Sequence, residues 1–182
     1  ISEEMVGDIR GMWGFADYND INPNDYSVKA NELTGTGITS ADYVTGVRGW
    51  ALDLAGSSEY LSRTSDTDFN FGTAGLSYCT WAKSNSATNP VSAPSIMESY
   101  TNPDYVIMVI DGNGQPYFQI TDDNDATRDT ALFAADFYDA NWHFFCGVKD
   151  GTSTISIYVD GVKGATTAIS AATASLDPSN IY

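Results

Sequence analysis

Positive charge is scarce. Eight lysines and arginines face 24 aspartates and glutamates across 182 residues, a formal charge of −16. Nucleic-acid binding needs a basic face that displaces counterions, and anionic membranes attract polybasic segments. Both partners are excluded on charge. Histidine is nearly missing, with His143 the single copy, and cysteine stops at Cys79 and Cys146. Two thiols and one imidazole are too few for a structural zinc site. No run is long and apolar enough to span a bilayer, so no membrane insertion is expected. No basic-then-apolar signal segment opens the chain. The first residue is Ile1 rather than Met, which suggests a processed product or a piece of something larger. Helical periodicity is absent too: no window combines amphipathic spacing with caps. Thr130–Ala140 comes nearest and reads better as a strand followed by a turn. Glutamate is limited to Glu3, Glu4, Glu32, Glu59 and Glu98, so most of the acid is aspartate, a residue of turns and metal-binding loops.

What is present is strand. The chain is 42% hydrophobic and 13% aromatic, enough to bury a core. In "LSYCTWAK" (76–83), Leu76, Tyr78, Thr80 and Ala82 alternate with Ser77, Cys79, Trp81 and Lys83. "DYVIMVIDGNGQPYFQI" (104–120) reads as two strands around a Gly-rich turn at Asp111–Gly114. "WHFFCGVKDGTSTISIYVDGV" (142–162) reads as a hairpin with Asp-Gly turns at Asp150-Gly151 and Asp160-Gly161. In its first arm Phe144, Cys146 and Val148 share a face opposite His143, Phe145 and Gly147. In its second, Ile155, Ile157 and Val159 oppose Thr154, Ser156 and Tyr158. Trp13, Trp50, Trp81 and Trp142 sit in strand patterns and are expected in the core. His143 has neither a second histidine nor a nucleophile motif beside it, so its expected role is structural. About a dozen short runs, separated by Gly, Asn, Asp, Pro or Ser clusters, predict an antiparallel sandwich or barrel. No repeat or linker divides the chain, so one domain is expected over residues 1–182.

The order of these segments resembles the concanavalin A-like superfamily, and more narrowly its laminin-G-like and pentraxin-like jelly rolls. "NWHFFCGVKDGTSTISIYVDGV" carries the Trp-His, Asp-Gly and Tyr-Val-Asp-Gly pattern. "GMWGFADYNDINPNDYS" resembles the opening strand and its Asp-Ser loop. "WALDLAGSSEYLSRTSDTDFNFGTAGLSYCTWAKS" and "DYVIMVIDGNGQPYFQI" follow in the family's order, so the likeness runs from about Val6 to the C-terminus. It implies an all-β, two-sheet antiparallel jelly-roll sandwich. It also implies a disulfide between Cys79 and Cys146, their sulfurs facing each other across the core; the alternative is two buried free thiols. Such a bond would add about 4–5 kcal/mol in the entropic account. The family continues past the point matching Tyr182 with an acidic loop and a closing strand. The C-terminal strand is therefore expected to be missing here, or supplied by a neighbouring subunit or a further segment that covers the open edge. The pentraxin double calcium site would then be at most half present, its near side falling around Asn102 and Asp104.

Three chemistries remain as candidates. For calcium, Asp20, Asn22, Asn24 and Asp25 echo a binding loop, and the resemblance implies that laminin-G-like folds hold calcium there. The loop lacks a mid-loop Gly, and Asn31 stands where a bidentate Glu is needed. Asp122, Asp123 and Asp125 form a second cluster, with Asp129 and Arg128 beside it. For hydrolysis, glucanases of this fold use a Glu-x-Asp-x-x-Glu array, which the five glutamates do not make; no nucleophile or phosphate-loop motif replaces it. An enzyme is not expected. For glycan binding, tyrosines read as lying in loops, Tyr18, Tyr26, Tyr43, Tyr100 and Tyr105, offer rings for sugars to stack on; Tyr18, Tyr26, Tyr100 and Tyr105 are the candidates carried forward. The expected function is non-catalytic recognition of a glycan or protein partner within an extracellular or virion-surface assembly. The alternative is a structural decoration module without ligand.

Overall fold

A computed structural model describes residues 9–15, 22–54, 58–64, 67–84, 95–101, 104–122, 127–170, 175–178 and 180–182. The chain divides into two compact units: Ile1–Phe69 with Asn180–Tyr182, and Asn70–Ser179.

The first unit has four three-residue strands, β1 (Thr34–Thr36), β2 (Tyr43–Thr45), β3 (Trp50–Leu52) and β4 (Tyr60–Ser62), paired antiparallel as β1 with β4 and β2 with β3. A 3-10 turn at Ser40–Asp42 is closed by a reciprocal cap. The Thr39 hydroxyl accepts from the Ala41 N–H, and the Asp42 carboxylate accepts from the Thr39 N–H at 2.6 Å. Strands this short hold few ladder bonds, so side chains bind the segments instead. Trp13 Nε1 donates to the Asn31 carbonyl at 2.6 Å, and the Asn31 amide donates to the Arg10 carbonyl at 2.7 Å. The Ile181 and Arg63 backbones exchange two hydrogen bonds in the same unit.

The second unit is the sandwich. Strands β5 (Leu76–Ala82), β10 (His143–Asp150), β11 (Thr154–Val159) and β12 (Val162–Ala168) form one antiparallel sheet in the order β12-β11-β10-β5. Strands β6 (Ser95–Thr101), β7 (Asp104–Ile110), β8 (Pro116–Asp122) and β9 (Thr127–Leu132) form the other in sequence order. Leu76, Tyr78, Phe145, Ile155, Ile157 and Val159 of the first sheet meet Val106, Met108, Ile110, Phe118, Ile120 and Ala131 of the second, and all are buried. Each such aliphatic or Phe side chain stabilises by about 1.5–3 kcal/mol on leaving water. Gly147 is required where the sheets meet, because a Cβ there would collide with the Phe118 ring. Leu176 is fully buried, and its backbone exchanges hydrogen bonds with Gly72.

The turns read in the sequence form as chemistry dictates. The Asp111 carboxylate accepts from the N–H groups of Asn113 and Gln115, at 2.8 and 2.9 Å, while Gly114 takes φ 77°. Asp160 and Gly161 both have positive φ, 50° and 79°, as a two-residue hairpin turn matched to strand twist requires. Thr130–Ala140 is the end of β9 followed by turns, without helix.

Three placements differ from expectation. Trp81 and Trp50 are 49% and 39% exposed rather than core. Cys79 and Cys146 are bonded between directly opposed residues of β5 and β10, but on the outer face of their sheet rather than across the core. Tyr100 and Tyr105 are strand residues, and Tyr43 opens β2 and is buried; none of the three lies in a loop. The period of two identifies which side chains share a face but not which face turns inward. Phe145, Gly147 and Lys149 turn in, and Phe144, Cys146 and Val148 turn out.

Candidate binding face

The outer face of the β6–β9 sheet is assembled by strand register. Tyr100 of β6 stands opposite Tyr105 of β7, which stands opposite Thr121 of β8, opposite Arg128 of β9. The next row on the same face is Glu98, Ile107, Gln119 and Thr130. The Tyr100 and Tyr105 rings are stacked, with centroids 4.2 Å apart and planes at 27°. Beside them Tyr105, Ile107, Gln119, Thr121 and Arg128 line a depression of about 200 Å³. The Gln119 amide donates to the Thr130 hydroxyl at 2.7 Å, which fixes its carbonyl and remaining N–H. Burial and the nearby Asp111 charge raise the Tyr117 pKa, while the Arg128 charge works the other way. Ring faces, an amide, hydroxyls and a guanidinium within one small depression can stack a flat apolar surface while hydrogen-bonding its edge. A larger depression of about 370 Å³ in the first unit is lined by Glu32, Thr34, Ser62, Arg63 and Thr64, with no aromatic ring.

The other candidate residues are placed elsewhere. Tyr26 is 51% exposed in the first unit. Asp25 turns both oxygens to its own loop: it accepts from the N–H groups of Met12, Ser27 and Asn31 and from the Ser27 hydroxyl, all within 2.6–2.8 Å. Burial would raise its pKa, but these four donors outweigh it and lower it. The Asn22 side-chain oxygen accepts from the Gly35 N–H at 3.1 Å, and Asn24 stands one residue before Asp25 in the same segment. Asp104 accepts from the Asp177 N–H at 2.7 Å, and Asp129 from the N–H and hydroxyl of Ser170. Asp122 ends β8, its backbone paired with Thr127. Tyr18, Asp20, Asn102, Asp123 and Asp125 lie outside the described residues. Among the described residues no three His, Cys, Asp or Glu side chains gather as a metal site.

His143 joins a cluster that single-residue reading missed. Its Nδ1 lies 2.7 Å from Asp160, and its Nε2 lies 3.2 Å from Asp139. Asp160 also accepts from the Phe144 N–H, and Asp139 from the backbone and side chain of Asn141. The Phe137 ring stands edge-on to the imidazole at 4.7 Å. Burial opposes charge on His143, but hydrogen bonds to Asp160 and Asp139 and their charges prevail and raise its pKa. Asp139 is held at about 2, by its Asn141 hydrogen bonds first and by His143 after them. Asp160 is lowered mainly by its hydrogen bond to His143. With both ring nitrogens engaged by carboxylates, this imidazole ties turn to strand. The signal in the sequence was Asp139 four residues before His143 and an aspartate in a turn that takes positive φ.

Residues 55–182 match the laminin G-type family described as the concanavalin A-like lectin/glucanases superfamily. The chain belongs to this family. Its fold is shared by the binding domain of botulinum neurotoxin DC in complex with rat synaptotagmin II, at 16% identity and TM-score 0.69, over 92% of this chain and 44% of that one. A structure of botulinum neurotoxin type C, whose cell entry depends on interaction with two ganglioside molecules, matches at 15% and 0.73, over 98% and 43%. Domains LG4-5 of the mouse laminin alpha1 chain match at 15% and 0.52, over 66% and 30%. The chain thus spans less than half of each, and at these identities the likeness is one of fold. No protein of curated function matches the sequence. In this laminin G-type sandwich, the face bearing Tyr100 and Tyr105 gathers ring faces beside a depression.

Proposed function

We propose that this chain is a non-catalytic recognition module that binds glycan through the outer face of the β6–β9 sheet, within a larger extracellular assembly. The observation that carries it is the stacked Tyr100–Tyr105 pair beside a depression lined by Gln119, Thr121 and Arg128. Binding domains of the same fold that act with gangliosides or with synaptotagmin II support the reading. The test is a glycan array with and without calcium, on the wild type and on Tyr100→Ala and Tyr105→Ala. The expected result is reproducible sugar binding that each substitution weakens about tenfold or more, which is about 1.4 kcal/mol. Binding that both variants retain in full would remove this face from the function. Incubation with β-glucans is expected to release no reducing sugar. A second reading is a structural decoration module of a virion or bacterial surface. It draws on the opposite sheet, where Trp81 and Phe144 pack at 5.4 Å on the outer side, a surface suited to protein.

A further inference from the structure

We propose that the outer face of the β12-β11-β10-β5 sheet docks a short acidic segment of a partner protein, laid across it in extended form. This goes beyond the glycan reading, which uses the other sheet, and names the partner for the face that Trp81 and Phe144 mark. Strand register assembles that face. Trp81 stands opposite Phe144, with ring centroids 5.4 Å apart, and Cys79 stands opposite Cys146, which stands opposite Tyr158. The Cys79–Cys146 bond ties β5 to β10 one row from the ring pair, so the pair is held in place before anything binds. Two lysines flank the rings. The Lys83 Nζ lies 5.3 Å from the centre of the Trp142 ring, just past the end of β5, and the Lys163 Nζ lies 5.8 Å from that of Tyr158, on β12. Both lysines are exposed, and a ring face attracts the charge of an ammonium without offering it an oxygen acceptor. Charge decides what such a face takes. In a molecule of formal charge −16, the outward-facing residues of these strands from Trp142 to Val148 and their partners include both lysines and, among the described residues, no carboxylate. Asp150 and Asp160 lie in the turns at the two ends, and Asp160 is held by His143 and the Phe144 N–H. Locally the face is complementary to acid, with an aromatic anchor in Trp81, 49% exposed.

Size selects a segment rather than a domain. At ordinary spacings the face runs about 20 Å along the strands and about 14 Å across them, an area of roughly 280 Å². A stable interface between two folded proteins takes about 800 Å² per partner. Neither depression described above lies on this face, whereas small ligands settle in concave sites. Spacing narrows the segment further. Lys83 and Lys163 lie on opposite edge strands and two rows apart, about 20 Å on the diagonal, or about six residues of extended chain. The segment therefore carries two carboxylates about six residues apart, one for each lysine, with apolar side chains between them over Trp81 and Phe144.

The test is an NMR titration of the isotope-labelled chain with end-blocked synthetic peptides: Glu-Thr-Leu-Thr-Leu-Thr-Glu, and the same peptide with Gln or with Lys in place of both Glu. The proteins are the wild type, Trp81→Ala and the double variant Lys83→Glu/Lys163→Glu, with folding checked by thermal melting. The expected result is saturable shifts at millimolar acidic peptide, confined to the amides of β5, β10, β11 and β12. The Gln peptide binds about fivefold more weakly, and the Lys peptide does not bind. Trp81→Ala weakens the acidic peptide about tenfold or more, the double variant prefers the Lys peptide, and added salt weakens the acidic peptide. No shift at millimolar acidic peptide, equal binding of the Glu and Gln peptides, or a double variant that keeps the acidic preference overturns the proposal. Sedimentation of the wild type detects the rival occupant: a dimer that Trp81→Ala disperses gives the face to a second copy of this chain and overturns the proposal too. So does sialyllactose that shifts this face where the acidic peptide does not. Failure here leaves the glycan reading standing, because its substitutions lie on the other sheet.

Discussion

At the scale of single residues, the pair of carboxylates around His143 gives the sandwich a pH dependence whose sign follows from the geometry. His143 has a raised folded pKa, so its contribution is full below the unfolded value of about 6.5 and is lost as pH rises through the folded value. Asp139 and Asp160 have lowered pKa values, so theirs is present above the unfolded carboxylate value and is lost as pH falls toward the folded one. The cluster therefore stabilises most in mildly acidic solution, above the carboxylate range and below the His143 transition. The expected outcome is a melting temperature that falls between pH 5.5 and pH 8, and falls less in His143→Gln, because other groups titrate equally in both proteins. An NMR titration should place the His143 pKa above 6.5, its ordinary value. Equal slopes in the two proteins would remove the cluster from the account.

At the scale of elements, the cross-strand bond between Cys79 and Cys146 acts on a pair of strands already in register along seven residues. It closes a loop with a sequence separation of 67, so its main effect is on the unfolded chain, about 4 kcal/mol in the entropic account. The double variant Cys79→Ser/Cys146→Ser should fold but lose about 2–4 kcal/mol in denaturant melts. Reduction of the wild type should add the mass of two protons, without disrupting the core that Phe118 and Phe145 form on the other side of the sheet. The sandwich's hairpins were legible in the sequence because local rules make them: Asp-Gly turns, the Gly-rich Asp111–Gly114 segment, and alternation on either side. The inward face of β10 was not. Its outer side carries Phe144, Cys146 and Val148, while its inner side carries Lys149, whose Nζ donates to the carbonyls of Ala74 and Gly151. Polarity thus pointed the wrong way, and only the approach of Phe118 to Gly147 decides it. The candidate site was half legible for a similar reason. Tyr100 and Tyr105 were named as ligand residues, but "TNPD" reads as a loop. Their stacking comes from a connection so short that the flanking residues face each other across two strands. Arg128, Gln119 and Thr121 join them through pairings that no local pattern reveals.

At the scale of the whole molecule, the formal charge of −16 is the dominant fact. Like charge destabilises a compact chain by self-repulsion, and salt screens it, with a Debye length of about 30 Å at 0.01 M and 10 Å at 0.1 M. Few cations are placed to relieve it locally: Lys149 is buried against carbonyls, and Lys29 and Arg10 are taken up by Asp68. Stability should therefore rise with added sodium chloride over this range, and thermal melts measure it directly. The same melts separate general screening from a calcium site. Calcium chloride at matched ionic strength repeats the sodium chloride effect if divalent ions act only as counterions. It exceeds that effect by about 2.7 kcal/mol, at a hundred times the dissociation constant, if aspartates bind the ion in the folded state alone. Asp25, Asp104 and Asp129 already take backbone donors, so an excess would have to come from carboxylates other than these. Equal curves for the two salts would leave charge relief as the whole effect and remove calcium from the function of this chain.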